Sequence, residues 1–243
     1  QTAGTITNGG GTLTVDAGAS STFGGVLAGA GGLIKAGTGT LRFSGSQSYT
    51  GSTTISAGTL KLMGGADLVF GTSGVINSGT LDLSDTIGIT LPSVSGAGNV
   101  VLPTNSGALT LTNATGEISG SVSGATGLVL AGGNLALSGN NTYQGSTSVS
   151  GGTLTLKSAN ALGTGQRSAT ISSGAVLRLD AGSGAGITFN TGSINVAGTV
   201  ENAAGDNALS GAVTLVGDSL FKNLNAANTL RFAGPIDRPF GLT

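Results

Sequence analysis

The chain has no cysteine, no histidine and no tryptophan among its 243 residues. Without cysteine it can form neither a disulfide framework nor a thiolate nucleophile. Without histidine it has no Ser-His-Asp triad, no imidazole proton shuttle and no imidazole metal ligand. Serine is abundant, but no serine lies in a Gly-x-Ser-x-Gly elbow with an acid and a histidine to activate it, which leaves the carboxylates as a separate case.

Charge is also scarce, with nine Lys and Arg, ten Asp and Glu and a net charge of −1. The basic residues form no stripe that could neutralise phosphates, so nucleic acid is not an expected partner. Asp82 and Asp85 are the closest acidic pair, and Arg178 and Asp180 are the closest candidates for an ion pair. The acidic pair could bind Ca²⁺, although a solvated turn is the simpler interpretation. The acids do not cluster into the facing pair that a glycosidase needs.

Long apolar runs are missing as well. No stretch of 18 apolar residues predicts a transmembrane helix, and no charged-then-apolar leader begins at Gln1. We therefore expect an internal or mature segment of a longer protein, with its export signal elsewhere.

Glycine is abundant, at 47 residues, and it occurs in a recurring five-residue strand motif such as GTLKL at Gly58–Leu62. About ten copies place two apolar residues on either side of one polar or small residue. This alternation puts both apolar side chains on one face of a strand. Successive copies are most often about 19 to 28 residues apart, which is typical of one solenoid coil. Strands this short must stack in order to bury their apolar faces.

A longer unit also repeats without a gap: GTLRFSGSQSYTGSTTISAGTLKL at Gly39–Leu62 and GNLALSGNNTYQGSTSVSGGTLTL at Gly133–Leu156. Tyrosine and glycine fall at the same places in both copies, between the two strands. We predict that these residues form a structural turn of the repeat: Tyr49, Gly51, Tyr143 and Gly145.

The repeats predict one all-β domain over residues 1–243, a β-solenoid of roughly eleven coils without significant helix. Its core is predicted to contain one apolar ladder: Leu13, Leu41, Leu60, Leu81, Leu109, Leu135, Leu154, Leu177 and Leu230. A second ladder is predicted beside it: Val15, Phe43, Leu62, Leu83, Leu111, Leu137, Leu156, Leu179 and Phe232. The residues between them point outward, and Lys61 is expected to lie above Asp82 as an opposite-charge neighbour.

The strand motif is no longer found near the C-terminus, where Pro235 and Pro239 flank Ile236–Arg238. Proline has no N–H to donate to a sheet ladder. We therefore predict that ladder pairing weakens there.

The repeat resembles the passenger-associated repeat of bacterial autotransporters. The sequence LIKAGTGTL at Leu33–Leu41 is similar to the opening of that repeat, and GNNTYQG at Gly139–Gly145 is similar to its Asn-Thr-Tyr-x-Gly turn. The second copy reads LVLAGG at Leu128–Gly133, so it lacks the lysine that the first copy has at Lys35 and is one residue shorter. The best repeats are two: residues 31–62 and 124–157.

This resemblance implies a right-handed parallel β-helix, exported across the outer membrane of a Gram-negative bacterium and displayed at the cell surface or secreted. It implies a non-catalytic structural or adhesive stalk, connected with adhesion and virulence, that assists its own secretion by folding coil by coil. The expected partners are the C-terminal outer-membrane translocator barrel of the same polypeptide, and host or bacterial surface ligands or further copies of the chain. We expect no catalytic residue, cofactor or metal.

Two alternatives remain open. One is a carbohydrate-active β-helix enzyme, which would need clustered acids or bound calcium. The other is the stalk of an exported protease or toxin whose active domain lies outside this chain. Adhesins, cytotoxins and proteases are all built on such stalks, so the fold alone does not decide between them.

Overall fold

The computed structural model describes residues 4–64, 73–182 and 186–238. Within these ranges all regular structure is β, in 31 strands of two to six residues, and no helix is present. The strands are short because each apolar pair is bounded by Gly, Ser, Thr or Asn, which favour turns. The described residues accordingly contain no helix long and apolar enough to cross a membrane.

The strands follow one another at short intervals along the chain. In chain order they are β1 (Thr5–Asn8), β2 (Leu13–Asp16), β3 (Ser21–Phe23), β4 (Val26–Gly29), β5 (Leu33–Ala36), β6 (Thr40–Phe43), β7 (Ser48–Tyr49), β8 (Thr53–Ile55), β9 (Thr59–Leu62), β10 (Val75–Asn77), β11 (Thr80–Asp82), β12 (Ile89–Leu91), β13 (Val94–Ser95), β14 (Asn99–Val101), β15 (Ala108–Leu111), β16 (Glu117–Ile118), β17 (Val122–Ser123), β18 (Gly127–Leu130), β19 (Asn134–Leu137), β20 (Thr147–Val149), β21 (Thr153–Leu156), β22 (Ala169–Ile171), β23 (Val176–Asp180), β24 (Thr188–Phe189), β25 (Ile194–Val196), β26 (Thr199–Ala204), β27 (Asn207–Leu209), β28 (Val213–Leu215), β29 (Leu220–Asn223), β30 (Leu230–Phe232) and β31 (Ile236–Asp237).

Successive strands turn through three faces of a solenoid. The first coil consists of β1, β2 and β3, and β4, β5 and β6 pair with them in parallel in the second coil. Face 1 consists of β1, β4, β7, β12, β15, β18, β20, β22, β25, β28 and β31; face 2 of β2, β5, β8, β10, β13, β16, β19, β21, β23, β26 and β29; and face 3 of β3, β6, β9, β11, β14, β17, β24, β27 and β30. The eleven strands of face 2 define eleven coils, which confirms the predicted all-β solenoid.

Backbone hydrogen bonds connect the sheets within faces 2 and 3. On face 2 a parallel bridge between Gly96 and Ile118 joins the two sheets. The described residues of face 3 form no strand in coils 7 and 8, but the coils remain in contact there: the backbone N–H of Thr142 donates to the carbonyl of Val122 at 2.8 Å. Coils therefore stack on one another even where strand geometry is lost.

Apolar side chains pointing inward fill the solenoid. Leu60 and Leu62 of β9 and Leu81 of β11 are fully buried, like the inward residues of nearly every internal coil. Burying one such side chain stabilises the fold by roughly 1.5–3 kcal/mol. Many of them in register offset the entropy lost by ordering a glycine-rich chain.

The nine leucines of the predicted first ladder are divided among the three faces instead of forming one row. They fall into two register-matched sets and three separate positions: Leu41, Leu60 and Leu81 on face 3; Leu135, Leu154 and Leu177 on face 2; Leu13 on face 2, Leu109 on face 1 and Leu230 on face 3. The predicted second ladder, from Val15 to Phe232, is divided in the same way. Every strand of a solenoid needs an inward apolar pair, so the strand motif recurs on each face. The spacing of the motif therefore does not identify the face.

The prediction of weakened pairing between Pro235 and Pro239 is wrong for the residues that the structure describes. Ile236–Asp237 forms β31 and pairs in parallel with β28. The carbonyl of Pro235 accepts a hydrogen bond from Val213 N–H at 2.9 Å. Proline therefore removes one N–H donor from the ladder but keeps its acceptor. Pro239 lies outside the described residues.

Candidate functional site

Each repeat turns a corner around a buried tyrosine. Tyr49 and Tyr143 are both fully buried. The Tyr49 hydroxyl lies 2.5 Å from Oγ1 of Thr53, and the Tyr143 hydroxyl lies 2.6 Å from Oγ1 of Thr147. Burial raises the pKa of both tyrosines to about 12, although the threonine hydrogen bond opposes the shift. The same tyrosine-threonine pair, four residues apart, therefore supports both corners.

A buried amide lies two residues before the first tyrosine. Oε1 of Gln47 accepts a hydrogen bond from the backbone N–H of Leu27 at 2.8 Å. Nε2 of Gln47 donates to the carbonyl of Gly25 at 3.0 Å and to that of Gly45 at 2.6 Å. Because Leu27 and Gly25 belong to the preceding coil, this side chain joins two coils.

The equivalent amide of the second corner is Asn141, which is also fully buried. Its Oδ1 accepts from the backbone N–H of Val122 at 2.8 Å, and its Nδ2 donates to the carbonyl of Ala161 at 2.8 Å. The first partner lies one coil before and the second one coil after, so Asn141 connects three coils. Our sequence reasoning missed both amides. The signal was present, because an amide occupies the same place before the tyrosine in both copies.

Glycine follows each tyrosine by two residues because the backbones of adjacent coils approach closely there. A Cβ on Gly51 would lie 2.5 Å from backbone atoms of Gly31 and Gly32, and one on Gly145 would lie 2.4 Å from the backbone nitrogen of Gly127. Real Cβ atoms do not come this close to backbone atoms. Both glycines are therefore needed for the spacing between coils.

The corners differ at one buried charge. Lys35 points into the solenoid and is fully buried, and its Nζ donates to the carbonyls of Ala36 at 2.6 Å, Gly37 at 2.8 Å and Ala57 at 3.2 Å. Burial lowers the pKa of Lys35, and the negative charge of Asp16 opposes that shift. These carbonyls belong to the turns that follow β5 and β8, so the ammonium group caps two turns in neighbouring coils.

The second copy has Leu130 at the position of Lys35, and this leucine is fully buried in the apolar core. The turn after it is one residue shorter, so it lacks the arrangement of carbonyls that surrounds the lysine. The two copies also lie on different faces. Tyr49 ends β7 on face 1, whereas Tyr143 lies on face 3 between β19 and β20. The repeat is therefore a local unit that can begin on any face.

Four acidic residues of the solenoid surface lie in ion pairs: Asp82, Asp85, Glu117 and Glu201. Nζ of Lys61 lies 3.2 Å from Oδ2 of Asp82 and 3.1 Å from Oδ2 of Asp85. This confirms the predicted Lys61–Asp82 neighbours and places the proposed calcium pair around an ammonium group. Burial raises the pKa of Asp82, but hydrogen bonds from Ser84 and Lys61 outweigh it and lower the pKa overall. The described residues contain no group of three or more acidic side chains placed to hold a metal ion.

The predicted ion pair between Arg178 and Asp180 is wrong. Arg178 donates to Oε2 of Glu201 from Nε at 3.1 Å and from Nη2 at 2.8 Å, and Lys222 approaches Oε1 of Glu201 at 3.7 Å. The parallel register places these three residues side by side on successive coils. Asp180 instead accepts a hydrogen bond from the backbone N–H of Gly182. Neighbours in a solenoid are one coil apart in sequence, not two residues apart.

The corner geometry coincides with a known repeat. The family model described as passenger-associated-transport-repeat matches residues 33–62 and 132–156, which contain both tyrosine corners. The chain therefore carries the repeat of autotransporter passengers. Over 88 residues, 36% of the chain, the segment is 41% identical to the adhesin BmaC autotransporter of Brucella suis biovar 1 (strain 1330). The matched region is 2% of that protein's length. No solved structure matches the segment.

The predicted family and localisation are thus confirmed. An autotransporter passenger is exported across the outer membrane, and this segment is displayed at the cell surface or secreted. The residues that carry the family match are the ones that hold coils together.

Proposed function

We propose that the passenger segment is a non-catalytic, adhesive stalk, one continuous array over residues 1–243 of a longer exported protein. The observation that carries this proposal is the corner itself. Its polar groups, Gln47 and Asn141 above all, make their hydrogen bonds to backbone groups of neighbouring coils. A side chain whose bonds are all internal supports stacking and offers nothing to a substrate.

The disposition of the acids supports the non-catalytic assignment. Hydrogen bonds from Lys157 and Ser138 lower the pKa of Glu117, and the Lys157–Glu117 ion pair measures 2.8 Å. Glu201 is likewise held between Arg178 and Lys222. A general acid needs a raised pKa and access to substrate. The pKa of Glu117 is instead lowered, which keeps that carboxylate ionised, and both carboxylates are held in ion pairs on the surface.

Export is the second part of the proposal. Each coil bonds mainly to its neighbours, so once one coil has folded the next can add to it with a favourable free energy. Folding outside the cell would then draw the unfolded remainder outward through the C-terminal translocator barrel of the same polypeptide. A resemblance to an adhesin supports attachment to host or bacterial surface ligands as the use of the displayed rod.

Activity and binding assays test the stalk assignment. We expect the purified chain to turn over none of a panel of polysaccharides and peptides, and to keep its melting temperature in the presence of a chelator. Beads coated with the folded chain should bind cells, and heat-unfolded chain should not. Polysaccharide turnover that disappears in Asp82→Asn would overturn the non-catalytic assignment, and a chelator-induced drop in melting temperature would do the same by showing a structural metal.

A secretion assay tests the export mechanism in the full-length protein. We expect Gly145→Val, which prevents close approach of two coils, to reduce the amount of passenger at the cell surface. Gly18→Val is the matched control, because a Cβ on Gly18 meets nothing within 4 Å. Equal surface levels for the two variants would show that coil stacking does not drive export.

A further inference from the structure

The three faces of the solenoid differ sharply in charge. On the described strands, face 2 carries seven charged residues and face 3 carries four, whereas face 1 carries one, Asp237 of β31. Side chains on face 1 therefore make contact with water without the ion pairs seen on face 2. Such a difference is not needed for stacking, because the inward residues are mostly apolar on all three faces.

From coil 5 to coil 11, face 1 presents one uninterrupted row of uncharged side chains. The central outward positions are register partners in this order: Thr90, Thr110, Val129, Ser148, Thr170, Asn195 and Thr214. The outward positions two residues to either side hold only Gly, Ala, Ser, Thr, Pro and Val. We call these three rows the neutral patch. All of its residues are exposed or half-buried.

Exposed apolar side chains lie at both ends of the neutral patch. Ile87, just before β12, is 75% exposed, and Val216, just after β28, is 43% exposed. Large apolar side chains at the surface are common singly. Here they border a sheet that carries no charge, so burying this face would desolvate hydroxyl and amide groups, which can pair across an interface, but no ion.

We propose that the neutral patch binds the same patch of a second copy of this chain, sheet against sheet. The side chains are small, so two sheets can approach to the usual face-to-face distance of about 10 Å. A two-fold axis through coil 8, the middle of the seven coils, places Ser148 opposite its own copy. In one of the two orientations that this axis allows, the end with Ile87 also meets the end with Val216.

The area is sufficient for a reversible dimer. Seven coils about 4.8 Å apart, each exposing about five residues of about 3.3 Å, cover about 550 Å² per copy. Two copies would bury about 1,100 Å², just above the roughly 1,000 Å² expected of a specific interface. Face 2 is unsuitable, because pairing it would desolvate Arg178, Glu201 and Lys222. The proposal does not depend on whether the rod is adhesive.

The two repeats supply a matched pair of variants. Ser148 and Thr54 occupy the same repeat position, each is the half-buried central residue of a three-residue strand, and they lie on faces 1 and 2 respectively. We expect sedimentation to detect concentration-dependent dimers of the chain. Ser148→Lys brings two ammonium groups together at the axis and should weaken the dimer by at least about tenfold. Thr54→Lys should leave the dimer unchanged.

A single cysteine provides a second measurement, because the chain has no cysteine of its own. Ser148→Cys should be cross-linked to its own copy by a short bismaleimide, because opposed Cα atoms about 10 Å apart are beyond the reach of a disulfide, and Thr54→Cys should not be cross-linked. A chain that stays monomeric at every concentration would overturn the proposal, as would equal effects of the two lysine substitutions. If Ser148→Lys instead reduced only the attachment of coated beads to cells, the patch would belong to a different partner and the proposal would be wrong.

Discussion

Residues 33–62 and 132–156 carry the same corner on different faces of the solenoid. Both corners bury a tyrosine bonded to a threonine, and both place an amide before it and a glycine after it. They differ in the buried Lys35, which the second copy replaces by Leu130. They also differ in the number of coils that the amide side chain joins, which is two for Gln47 and three for Asn141. The shared parts therefore serve the corner itself, and the parts that differ serve the particular coils on either side.

The glycines should separate shared from local requirements most strongly. We expect Gly51→Ala and Gly145→Ala to destabilise the chain by similar amounts, on the order of 1–3 kcal/mol or more, because the added Cβ meets backbone that cannot move aside. Gly18→Ala is the control, since open space surrounds it. Thermal unfolding measures all three. A much smaller effect at one corner would mean that its coils can shift apart.

Exchanging the residues at the point of difference should have the next largest effect, and an asymmetric one. Leu130→Lys buries an ammonium group beside a shorter turn without the carbonyls that surround Lys35, and should cost several kcal/mol. Lys35→Leu leaves carbonyls without donors and should cost about 1–3 kcal/mol. Urea unfolding of the two variants provides the comparison. Equal losses would contradict the assignment of the turn carbonyls as the reason for the lysine.

Much of this architecture could be predicted from the sequence, because the strand motif reflects the inward apolar pair of each strand and its spacing reflects the length of a coil. An apolar pair separated by one residue is sufficient for a strand, and a gapless repeat is sufficient for a corner. The faces could not be assigned, because Leu41 and Leu135 occupy the same position of equivalent strands in the two repeats and yet lie on faces 3 and 2. The Arg178–Asp180 prediction failed for the same reason: the partner of Arg178 is set by coil length, which varies.

The burial of the Gln47 and Asn141 side chains was also not predicted from the sequence. Asparagine is an ordinary turn residue and glutamine is usually exposed, so the residue types alone do not indicate that Gln47 and Asn141 are buried. Their burial follows from the corner folding inward, which only the coordinates reveal. A repeat alignment that compared residue types instead of identities would have singled them out.

Removing the amides should have a smaller effect and should sharpen the comparison between coils. We expect Gln47→Leu and Asn141→Leu each to cost about 1–3 kcal/mol, because the N–H groups of Leu27 and Val122 lose their acceptors. Hydrogen exchange should accelerate at the backbone N–H groups of Leu27 and Val122. Asn141→Leu should also loosen coil 8, where Ala161 loses its donor, whereas Gln47→Leu should affect only coils 2 and 3. Identical exchange patterns around both sites would contradict the three-coil role of Asn141.

The tyrosines should give the smallest effect at neutral pH and a distinct one in alkali. Phenylalanine at Tyr49 or Tyr143 removes the hydrogen bond to threonine, worth about 1 kcal/mol, and at Tyr143 also a long one of 3.5 Å to the Ala161 carbonyl. Burial raises the pKa of both tyrosines to about 12, while an unfolded tyrosine ionises near pH 10. Below pH 10 both states are protonated and stability is fully present. Between pH 10 and 12 the unfolded state binds fewer protons than the folded state, so stability falls as pH rises.

Each tyrosine should contribute about 2–3 kcal/mol to this alkaline loss. The chain has two tyrosines and no tryptophan, so tyrosinate absorbance follows these two groups alone. The double variant Tyr49→Phe/Tyr143→Phe should lose this part of the pH dependence, and the remaining slope, to which Lys35 contributes, is common to all variants. Burial raises both pKa values to about 12, so the two single variants should lose similar parts of the pH dependence. A tyrosine that titrates near pH 10 in the folded chain would mean that its corner opens to water, and that the two copies differ in more than their lysine.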